Sequence, residues 1–514
     1  MKHLKYIAIS TILLCSCSLD ESPQDQIPEE AAYATPLLLY QNTVATLYNY
    51  LGGHSDGEGL QGTCRGVYDL QTFGSDEAML PTRGIDWYDG GLWQQMYKHS
   101  WDPGNEIVGN SWKYLYKVVA LCNNSLEKLQ QHVYLAPQDV PDWIAEVRSL
   151  RAIYYWYLID LFGDVPLITS TNVSINAVHT TPRADVYKFI VDELMANRLQ
   201  LCNNVSVVPG IYYGRITQSV SNFVLAKLML NAPVYTGTVN DTCYQKCIEF
   251  CNILEDRGYE LSADYDDNFV PHNQDSKENI FVIPMDKDLY TNEQHYLVRS
   301  LHYRHANLFG FSGDNGTCAT RHTLKVYGYT SENDYKYDNR FLYNFYFEAQ
   351  EGCIDRAGGL LTYVPEAVEL DLSNSPFIET AGARMRKYSI DPLCNYGGKL
   401  IDNDIVLFRF ADVLLMRAEA KVRLGQDGYE DMNRVRRRAE MQERPCTLET
   451  LLDERLLELC WEGWRRQDLI RFGRFHSLYD GPDAVDESDG HTTIYPIPRN
   501  VNTLNPYILQ NKGY

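Results

Sequence analysis

The chain has 514 residues, a formal net charge of −22 at pH 7 and 13 cysteines. Phosphate binding requires a basic face, so this acidic balance argues against a nucleic-acid partner. The length exceeds what one hydrophobic core usually serves, but no Gly/Ser-rich or Pro-rich linker divides the sequence. We therefore expect a single large domain over residues 30–514.

The N-terminus has the layout of an export signal. Basic residues and a histidine within the first five positions precede an apolar run that ends at Leu14 and is too short to span a bilayer. A branched residue three places before Cys17 and a small residue one place before it match the pattern that lipoprotein signal peptidase cuts. We predict a signal peptide over residues 1–16, an acylated Cys17 and a polar, lipid-anchored tether over residues 17–29. Cys15 stays an alternative, although Leu14 before it is bulkier than such a site prefers.

Helical periodicity dominates the chain outside its middle. Apolar residues recur every three or four positions in consecutive segments joined by short breaks. We predict helices near residues 108–129, 143–161, 182–194, 219–235, 242–257, 404–424 and 447–472. Small residues in the pair 411–424 and 429–439 permit close approach of two helices, as in tetratricopeptide-like hairpins. The predicted fold class is mainly α, with a helical frame over about residues 30–257 and 401–514.

The middle of the chain has a different character. Between residues 258 and 400, Gly, Asn, Asp and Pro punctuate short β-prone runs such as residues 279–284. We interpret this segment as a loop-rich, partly β insertion on the helical frame.

The cysteines do not form a complete disulfide framework. Setting Cys15 and Cys17 aside leaves eleven, and an odd number cannot all pair. Cys243, Cys247 and Cys251 lie on one stripe of a predicted helix. No fourth ligand lies near them in the sequence, so a buried apolar stripe is favoured over a soft-metal site.

Three further patterns favour structural interpretations. The glycine spacing of residues 57–62 matches a dinucleotide loop, but no buried strand precedes it, so a flexible loop is favoured. Glu454, Glu458 and Glu462 are spaced one turn apart with arginines nearby, which is typical of charges that hold helices together. The acidic run over residues 480–489 lacks the EF-hand spacing, and calcium binding there stays open. We expect no cofactor and assign no metal ligands.

One early segment combines aromatic rings with charges. Sugar rings stack their apolar C–H faces on aromatic side chains, while their hydroxyls need partners such as Asp and Arg. The segment offers both kinds of group, in Asp76, Arg83, Asp86, Trp87, Tyr88 and Trp93. It is equally open to a scaffolding interpretation, because large aromatics are commonly half-buried.

At this point the chain resembles the SusD/RagB family of outer-membrane nutrient-binding lipoproteins over nearly its whole length. The resemblance begins at the lipobox and the Asp76–Trp93 block, and it continues in Glu146–Leu158 and Leu161–Pro166. Its most specific part is a C-terminal series in which shared order, rather than any single piece, decides: Phe408–Ala420, Asn433–Arg436, Glu454-Arg455, Glu458-Leu459, Glu462-Gly463, Asp468–Gly473, Pro496–Pro498, Asn505-Pro506 and Gln510-Asn511.

The resemblance implies a right-handed superhelix of tetratricopeptide-like hairpins without catalytic activity. It implies a lipid-anchored protein on the outer face of the outer membrane that captures a glycan. The implied partner is a SusC-like TonB-dependent β-barrel transporter, which receives the ligand.

Ligand contacts implied by the resemblance fall in two groups. The first is the aromatic block already named, and the second lies in the middle insertion: Tyr303, Arg304, Phe309 and Phe311. The nearest alternative is an oligopeptide receptor of the RagB type. A more distant one is a surface glycoside hydrolase, which needs two carboxylates facing one bond.

Overall fold

The computed structural model describes residues 28–203, 210–330, 337–476 and 490–514. The predicted signal peptide, the predicted lipidation site Cys17 and most of the predicted tether lie outside the described residues, as does the whole acidic run over residues 480–489.

Helices account for most of the regular structure in the first half of the chain, which confirms the predicted mainly α fold class. The helices α1 to α10 are Glu29–Ala32, Pro36–Tyr40, Thr46–Tyr48, Val67–Thr72, Leu92–Tyr97, Glu106–Gln131, Val140–Phe162, Arg183–Asn197, Gln218–Thr236 and Asp241–Asp256. A π-helical turn, Gln41–Ala45, joins α2 to α3.

The sequence explains where the long helices begin and end. Asn105 caps α6 by accepting hydrogen bonds from the amides of Ile107 and Val108. Thr217 caps α9 in the same way. Gly163, with φ of 71°, follows the last residue of α7 and takes a backbone conformation that a residue with a side chain rarely adopts.

The second half contains shorter helices and the C-terminal part of the frame. The helices α11 to α19 are Tyr296–Ser300, Tyr303–Asn307, Arg321–Tyr327, Arg340–Asn344, Phe410–Arg423, Tyr429–Arg438, Leu448–Leu459, Arg465–Arg471 and Arg499–Leu504.

Two predicted helices in this half are corrected by the structure. The helix predicted over residues 404–424 begins as the strand Ile405–Arg409, because this apolar run is buried along its whole length and pairs with another strand. The helix predicted over residues 447–472 is two helices, α17 and α18. They are separated at Trp461 and Gly463, whose φ values of 68° and 74° are incompatible with a continuous helix.

The strands are short and pair antiparallel in twos. The strands β1 to β10 are Ala78–Met79, Val165–Pro166, Thr180–Thr181, Asn279–Ile283, Cys318–Ala319, Phe345–Tyr346, Glu348–Ile354, Leu360–Tyr363, Arg384–Met385 and Ile405–Arg409. The pairs are β1 with β5, β2 with β3, β4 with β10, β6 with β9, and β7 with β8. The β4–β10 pair joins the middle segment to the C-terminal helices.

Consecutive helices pack side by side from α6 to α10, and α10 then packs on α15 of the C-terminal part. One core cluster contains buried residues from both parts, for example Leu150, Phe223 and Leu414. Contacts between the two helical parts, one before and one after the middle segment, therefore hold the frame together.

A buried network of charges lies inside this frame. The Arg340 guanidinium is 2.7 Å from the carboxylate of Glu454 and 2.9 Å from that of Glu458. Arg409 bridges Glu458 and Glu462 at 2.6 and 2.7 Å. All five side chains are buried. These carboxylates are paired and inaccessible, so they hold the scaffold together and are not exposed acid/base groups.

The eleven cysteines in the described part of the chain are all free. Among the described helices, none combines the length and the apolar character needed to cross a membrane.

Candidate functional site

The segment from Gly84 to Gly91 forms a loop with an unusual backbone. Trp87 and Asp89 have φ of 60° and 44°, in the left-handed region that residues with side chains seldom occupy. Gly84, Gly90 and Gly91 also have positive φ. Such a backbone persists only where surrounding contacts impose it, and clusters of this kind occur preferentially at binding sites.

Trp87 is clamped in a half-buried position. Its indole N–H donates a 2.8 Å hydrogen bond to the carbonyl oxygen of Asp314. The ring meets that of Trp93 edge-on, with centroids 6.1 Å apart. Gly316 leaves the space for this ring, since a Cβ at that position would lie 2.8 Å from Trp87 Cε2. The indole is thus held at the surface with part of the ring accessible.

The residues on either side of Trp87 face solvent. Tyr88 is 52% exposed and Ile85 is 94% exposed. The Tyr303 hydroxyl donates a 3.1 Å hydrogen bond to the carboxylate of Asp86, across 217 positions of sequence. Partial burial and this carboxylate raise the pKa of Tyr303. We call the surface formed by Asp86, Trp87, Tyr88 and Tyr303 the ledge.

Three predicted contact residues are buried and serve as supports of the ledge region. Asp76 has no exposed surface, and its carboxylate is gripped by Arg465 at 2.6 and 2.8 Å. Arg83 is 4% exposed and donates to the carbonyl oxygens of Ile378 and Ala381. Trp93 is 1% exposed and donates a 2.8 Å hydrogen bond to Asp89. These three side chains are corrected from ligand contacts to scaffold.

Burial also shapes the charge of Arg83. Desolvation, together with a smaller effect of neighbouring Arg384, lowers the pKa of its guanidinium to about 9. Its two hydrogen bonds to carbonyl oxygens connect the Gly84 loop to residues 378–381. Its role is to dock one loop on another.

The second predicted group is divided between surface and interior. Arg304 is exposed and donates a 3.1 Å hydrogen bond to the carbonyl oxygen of Ile354. Phe309 is 36% exposed. Phe311 is only 5% exposed and lies against Gly398, where a Cβ would come within 2.5 Å of the ring. Phe311 is therefore corrected to a core residue, whereas Arg304 and Phe309 stay candidates.

The sequence did not point to a third segment beside the ledge. Phe377 is 40% exposed, and Ile378 lies next to Gly84. The Glu379 carboxylate pairs with Arg356 at 3.0 Å and with His302 at 3.4 Å. Contacts with Arg83, Gly84 and His302, all distant in sequence, place this segment here, and no local pattern in a loop-rich region predicts such contacts.

The ledge offers aromatic ring surface and hydrogen-bonding groups, and charged side chains of both signs lie around it. Tyr88 and Trp87 present aromatic surface, and Asp86 accepts hydrogen bonds. The two positive charges of Arg304 and Arg356 equal in number the two negative charges of Asp86 and Glu379. Aromatic stacking with balanced polar groups suits an uncharged polyhydroxy ligand better than a polyanion.

A separate cleft of about 1050 Å³ lies between the start of α6 and α19. Its lining includes Trp112, Lys113 and Tyr116 of α6. Trp112 is 7% exposed because it packs on Phe162 and Tyr116. The cleft therefore presents little ring surface, and none of its lining residues belongs to the ledge.

Comparison with protein families gives two matches along the chain. The model of the SusD family matches residues 277–514. A second model, described as starch-binding and associating with the outer membrane, matches residues 68–230. Together the two matches account for most of the chain.

Named relatives resemble the chain over most of their own length. The starch-binding protein SusD of Bacteroides thetaiotaomicron is 26% identical over 508 residues, covering 90% of this chain and 88% of the relative. SusD-like protein P25 of Formosa agariphila is 25% identical, covering 79% and 80%.

Solved structures share the fold. A laminarin-binding SusD-like protein superimposes with a TM-score of 0.72 at 21% identity, covering 93% of this chain and 100% of that one. Surface glycan-binding protein A from Bacteroides thetaiotaomicron, in complex with laminarihexaose, gives 0.73 at 19% identity, covering 93% and 99%.

Proposed function

The chain belongs to the SusD family, and from that premise we propose that it is a non-catalytic receptor that captures a neutral glycan at the cell surface. The ledge is the proposed capture site, and a TonB-dependent outer-membrane transporter is the proposed recipient of the glycan.

The observation that carries the proposal is the exposed ring surface of Tyr88 beside the clamped indole of Trp87. Rings fixed before binding lose little conformational entropy when a sugar stacks on them. Asp86 and Tyr303 stand next to the rings and supply hydrogen-bonding groups for hydroxyls. Buried Trp93 holds Trp87 from below, so the surface is formed before the ligand arrives.

The relatives support a glycan as the ligand class. Their names record starch for the Bacteroides relative and laminarin or laminarihexaose for two of the structures. Both are neutral polysaccharides, in agreement with the balanced charges beside the ledge. We propose neutral glucans as the first ligands to test.

The carboxylates described around the ledge support binding without hydrolysis. Asp86 accepts a hydrogen bond from Tyr303, and Glu379 is paired with Arg356. Retaining and inverting glycosidases need two carboxyl groups free to act on one bond. We propose that the chain leaves its glycan intact, which is checked by analysing the oligosaccharide for shortened products after prolonged incubation.

The proposed location and the proposed partner both rest on the same family membership. The second matching model is described as associating with the outer membrane. We propose that acyl chains on Cys17 anchor the chain there, facing the exterior. Replacement of Cys17 by Ala should release the chain from the membrane fraction. Recovery of the Cys17→Ala chain in the membrane pellet contradicts this anchor.

Calorimetric titration of the whole chain, purified in detergent, tests the capture site. A sugar that covers roughly 50 Å² of the Tyr88 ring contributes about 1.3 kcal/mol, at about 25 cal/mol per Å². Tyr88→Ala should therefore weaken binding of starch or laminarin oligosaccharides about tenfold. Trp87→Ala should weaken it at least as much, since the hydrogen bond to Asp314 is also lost.

Tyr134→Ala is the matched control, because Tyr134 is also strongly exposed, at 69%, but lies after α6 and away from the ledge. Its affinity should equal that of the unmodified chain. Equal affinities for Tyr88→Ala and the unmodified chain contradict the proposed site. Tight binding of oligopeptides without binding of any oligosaccharide would favour the oligopeptide receptor instead.

The transporter is tested separately. An affinity-tagged chain extracted from its native membrane in mild detergent should retain a TonB-dependent transporter in stoichiometric amount. Recovery of the chain alone, under conditions that preserve other outer-membrane complexes, contradicts the delivery step. It does not bear on the capture site, which the calorimetric titration tests independently.

A further inference from the structure

Three side chains with metal-binding atoms, none of them part of the ledge, meet at one place. Cys64 Sγ lies 3.4 Å from Nδ1 of His295, and the same Nδ1 lies 3.7 Å from a carboxylate oxygen of Asp56. All three ligand atoms lie within 4.8 Å of one another. Cys64 and His295 are buried, while Asp56 is exposed. Two segments separated by more than 200 positions are thus brought to one point.

Two of the three separations between ligand atoms match a tetrahedral zinc site. Zinc lies about 2.3 Å from sulfur and about 2.0 to 2.2 Å from nitrogen or carboxylate oxygen. Two ligands of one tetrahedral ion are therefore separated by roughly 3.4 to 3.6 Å. The separation of Cys64 Sγ from His295 Nδ1, 3.4 Å, and that of His295 Nδ1 from the Asp56 carboxylate, 3.7 Å, are close to this spacing. A small ion fits between the atoms with little movement.

His295 is oriented for this role. The Glu293 carboxylate lies 2.5 Å from Nε2 and accepts a hydrogen bond there, which favours the tautomer with the proton on Nε2 and a lone pair on Nδ1 facing Cys64 and Asp56. A carboxylate on the far nitrogen of a ligating histidine is the usual second partner in zinc sites. The backbone is fixed as well: the Glu293 amide donates to Gly53 and the His295 amide to Gly62.

The glycine-rich loop that carries Asp56 and Cys64 is built around this point. The Gly57 amide donates a 2.7 Å hydrogen bond to the carbonyl oxygen of Cys64, which closes the loop on itself. Gly62 has φ of 100°, and a Cβ there would lie 2.6 Å from the Glu293 carbonyl oxygen. Glycine is thus required at position 62 for the close approach of the loop to residues 293–295. This packing requirement explains a glycine in the segment 57–62, whose spacing resembles that of a dinucleotide loop.

We propose that Asp56, Cys64 and His295 form a zinc-type site with three protein ligands and a fourth position open to solvent on the Asp56 side. A thiolate and an imidazole favour zinc over calcium or magnesium, which prefer oxygen ligands alone. The thiolate and the carboxylate balance the two charges of the ion. Binding converts the Cys64 thiol to a thiolate with release of one proton, and no oxidant or reductant takes part.

The neighbouring cations set limits on the site. Arg65 Nε lies 3.7 Å from Asp56, and Lys399 Nζ lies 3.5 Å from Glu293. Arg65 has other partners in Asp89 and Glu106, at 2.8 and 3.2 Å, so that it can release Asp56 to the ion. Lys399 pairs with the Glu293 carboxylate, and the positive charges of Lys399 and Arg299 also act on the His295 ring.

The test uses the whole chain, stripped with chelator and titrated with zinc chloride, with bound metal measured by mass spectrometry. We expect one tightly bound zinc, lost in Cys64→Ser and in His295→Gln. Glu293→Gln keeps all three ligands and should weaken zinc about tenfold. Cys353→Ser and His305→Gln are matched controls, since both residues are buried and lie in the middle segment, and they should retain the zinc.

Cobalt gives a second readout that does not depend on the variants' stability. Cobalt(II) in this site should show the near-ultraviolet absorption of a sulfur-to-cobalt bond, and Asp56→Asn, at an exposed position, should weaken its binding. Failure of the unmodified chain to bind zinc, absence of the sulfur-to-cobalt band, or retention of zinc in Cys64→Ser and His295→Gln would each overturn the proposal. Glycan titration of the same proteins reports on the ledge separately.

Discussion

Replacement of Asp76 by Asn distinguishes a scaffold role from a ligand contact most directly. The Asp76 carboxylate has no exposed surface and is held by the Arg465 guanidinium at 2.6 and 2.8 Å, with His322 at 3.1 Å. Asn keeps the shape but removes the charge. Arg465, 3% exposed, would keep its hydrogen bond to the carbonyl oxygen of Leu452 and could donate to the Asn amide oxygen, but it would lose its carboxylate partner.

The expected cost follows from leaving a buried guanidinium without its carboxylate. Breaking a buried ion pair by removing one partner costs about 3 to 5 kcal/mol. A folded domain is typically stable by about 5 to 15 kcal/mol, so the variant should lose a large share of its stability. Arg465→Met in the same chain should recover part of the loss, because it removes the unpaired charge.

Guanidinium chloride unfolding of Asp76→Asn and of the unmodified chain measures the difference, and its pH dependence identifies the cause. Arg465 and His322 hold the pKa of the Asp76 carboxyl well below its usual range. A group with a depressed folded-state pKa stabilises the fold above its unfolded pKa, about 3.9, and that stability is lost as the pH falls. The gap between the two proteins should therefore be full at neutral pH and shrink below about pH 4.

Two results would refute this reasoning. A stability loss below about 1 kcal/mol would show that the pair is not buried as described. A folded, fully stable Asp76→Asn chain with weakened glycan binding would return Asp76 to the ligand contacts that the sequence suggested.

Further predictions concern the scaffold and the ledge. Burial raises the pKa of Glu77 to about 8, so its folded form binds a proton that the unfolded chain lacks between about pH 4.3 and 8. As the pH rises through that window, the free energy of unfolding should fall by up to about 1.4 kcal/mol per pH unit. Glu77→Gln should remove this pH dependence from a series of unfolding curves. Arg409→Met leaves Glu278, Glu458 and Glu462 without their shared partner and should cost at least about 3 kcal/mol or prevent folding. Arg437→Met, in an exposed pair with Glu430, is the control and should change the unfolding midpoint little. Gly316→Ala should displace the Trp87 ring and weaken glycan binding in calorimetry, whereas Gly109→Ala, with nothing within 4 Å, should not; equal affinities would show that the position of Trp87 is unimportant.

Local sequence determined the long helices because their signals are local. Periodic apolar residues and caps such as Asn105 and Thr217 act within one or two turns, so α6 and α9 appear close to their predicted bounds. The strand Ile405–Arg409 was missed because a short apolar run reads alike as helix or buried strand until its partner, Asn279–Ile283, is known.

The candidate site shows the same division. The sequence predicted a ligand segment, and three of its residues, Asp86, Trp87 and Tyr88, lie at the surface together. The sequence did not distinguish these exposed residues from the buried Asp76, Arg83 and Trp93. Exposure depends on distant partners: Arg465, which pairs with Asp76, lies 389 positions further along the chain. Aromatic and charged residue types are common to binding surfaces and to buried supports.

The sequence by itself determined the helical class, the family resemblance and the segment that carries the ledge, all of which rest on residue types and their order along the chain. Only the tertiary structure decided which side chains of that segment face solvent and that Cys64 and His295 meet. The physical reason is that burial, ion pairing and ligand geometry are set by contacts between distant segments, and the order of residues along a chain does not record those distances.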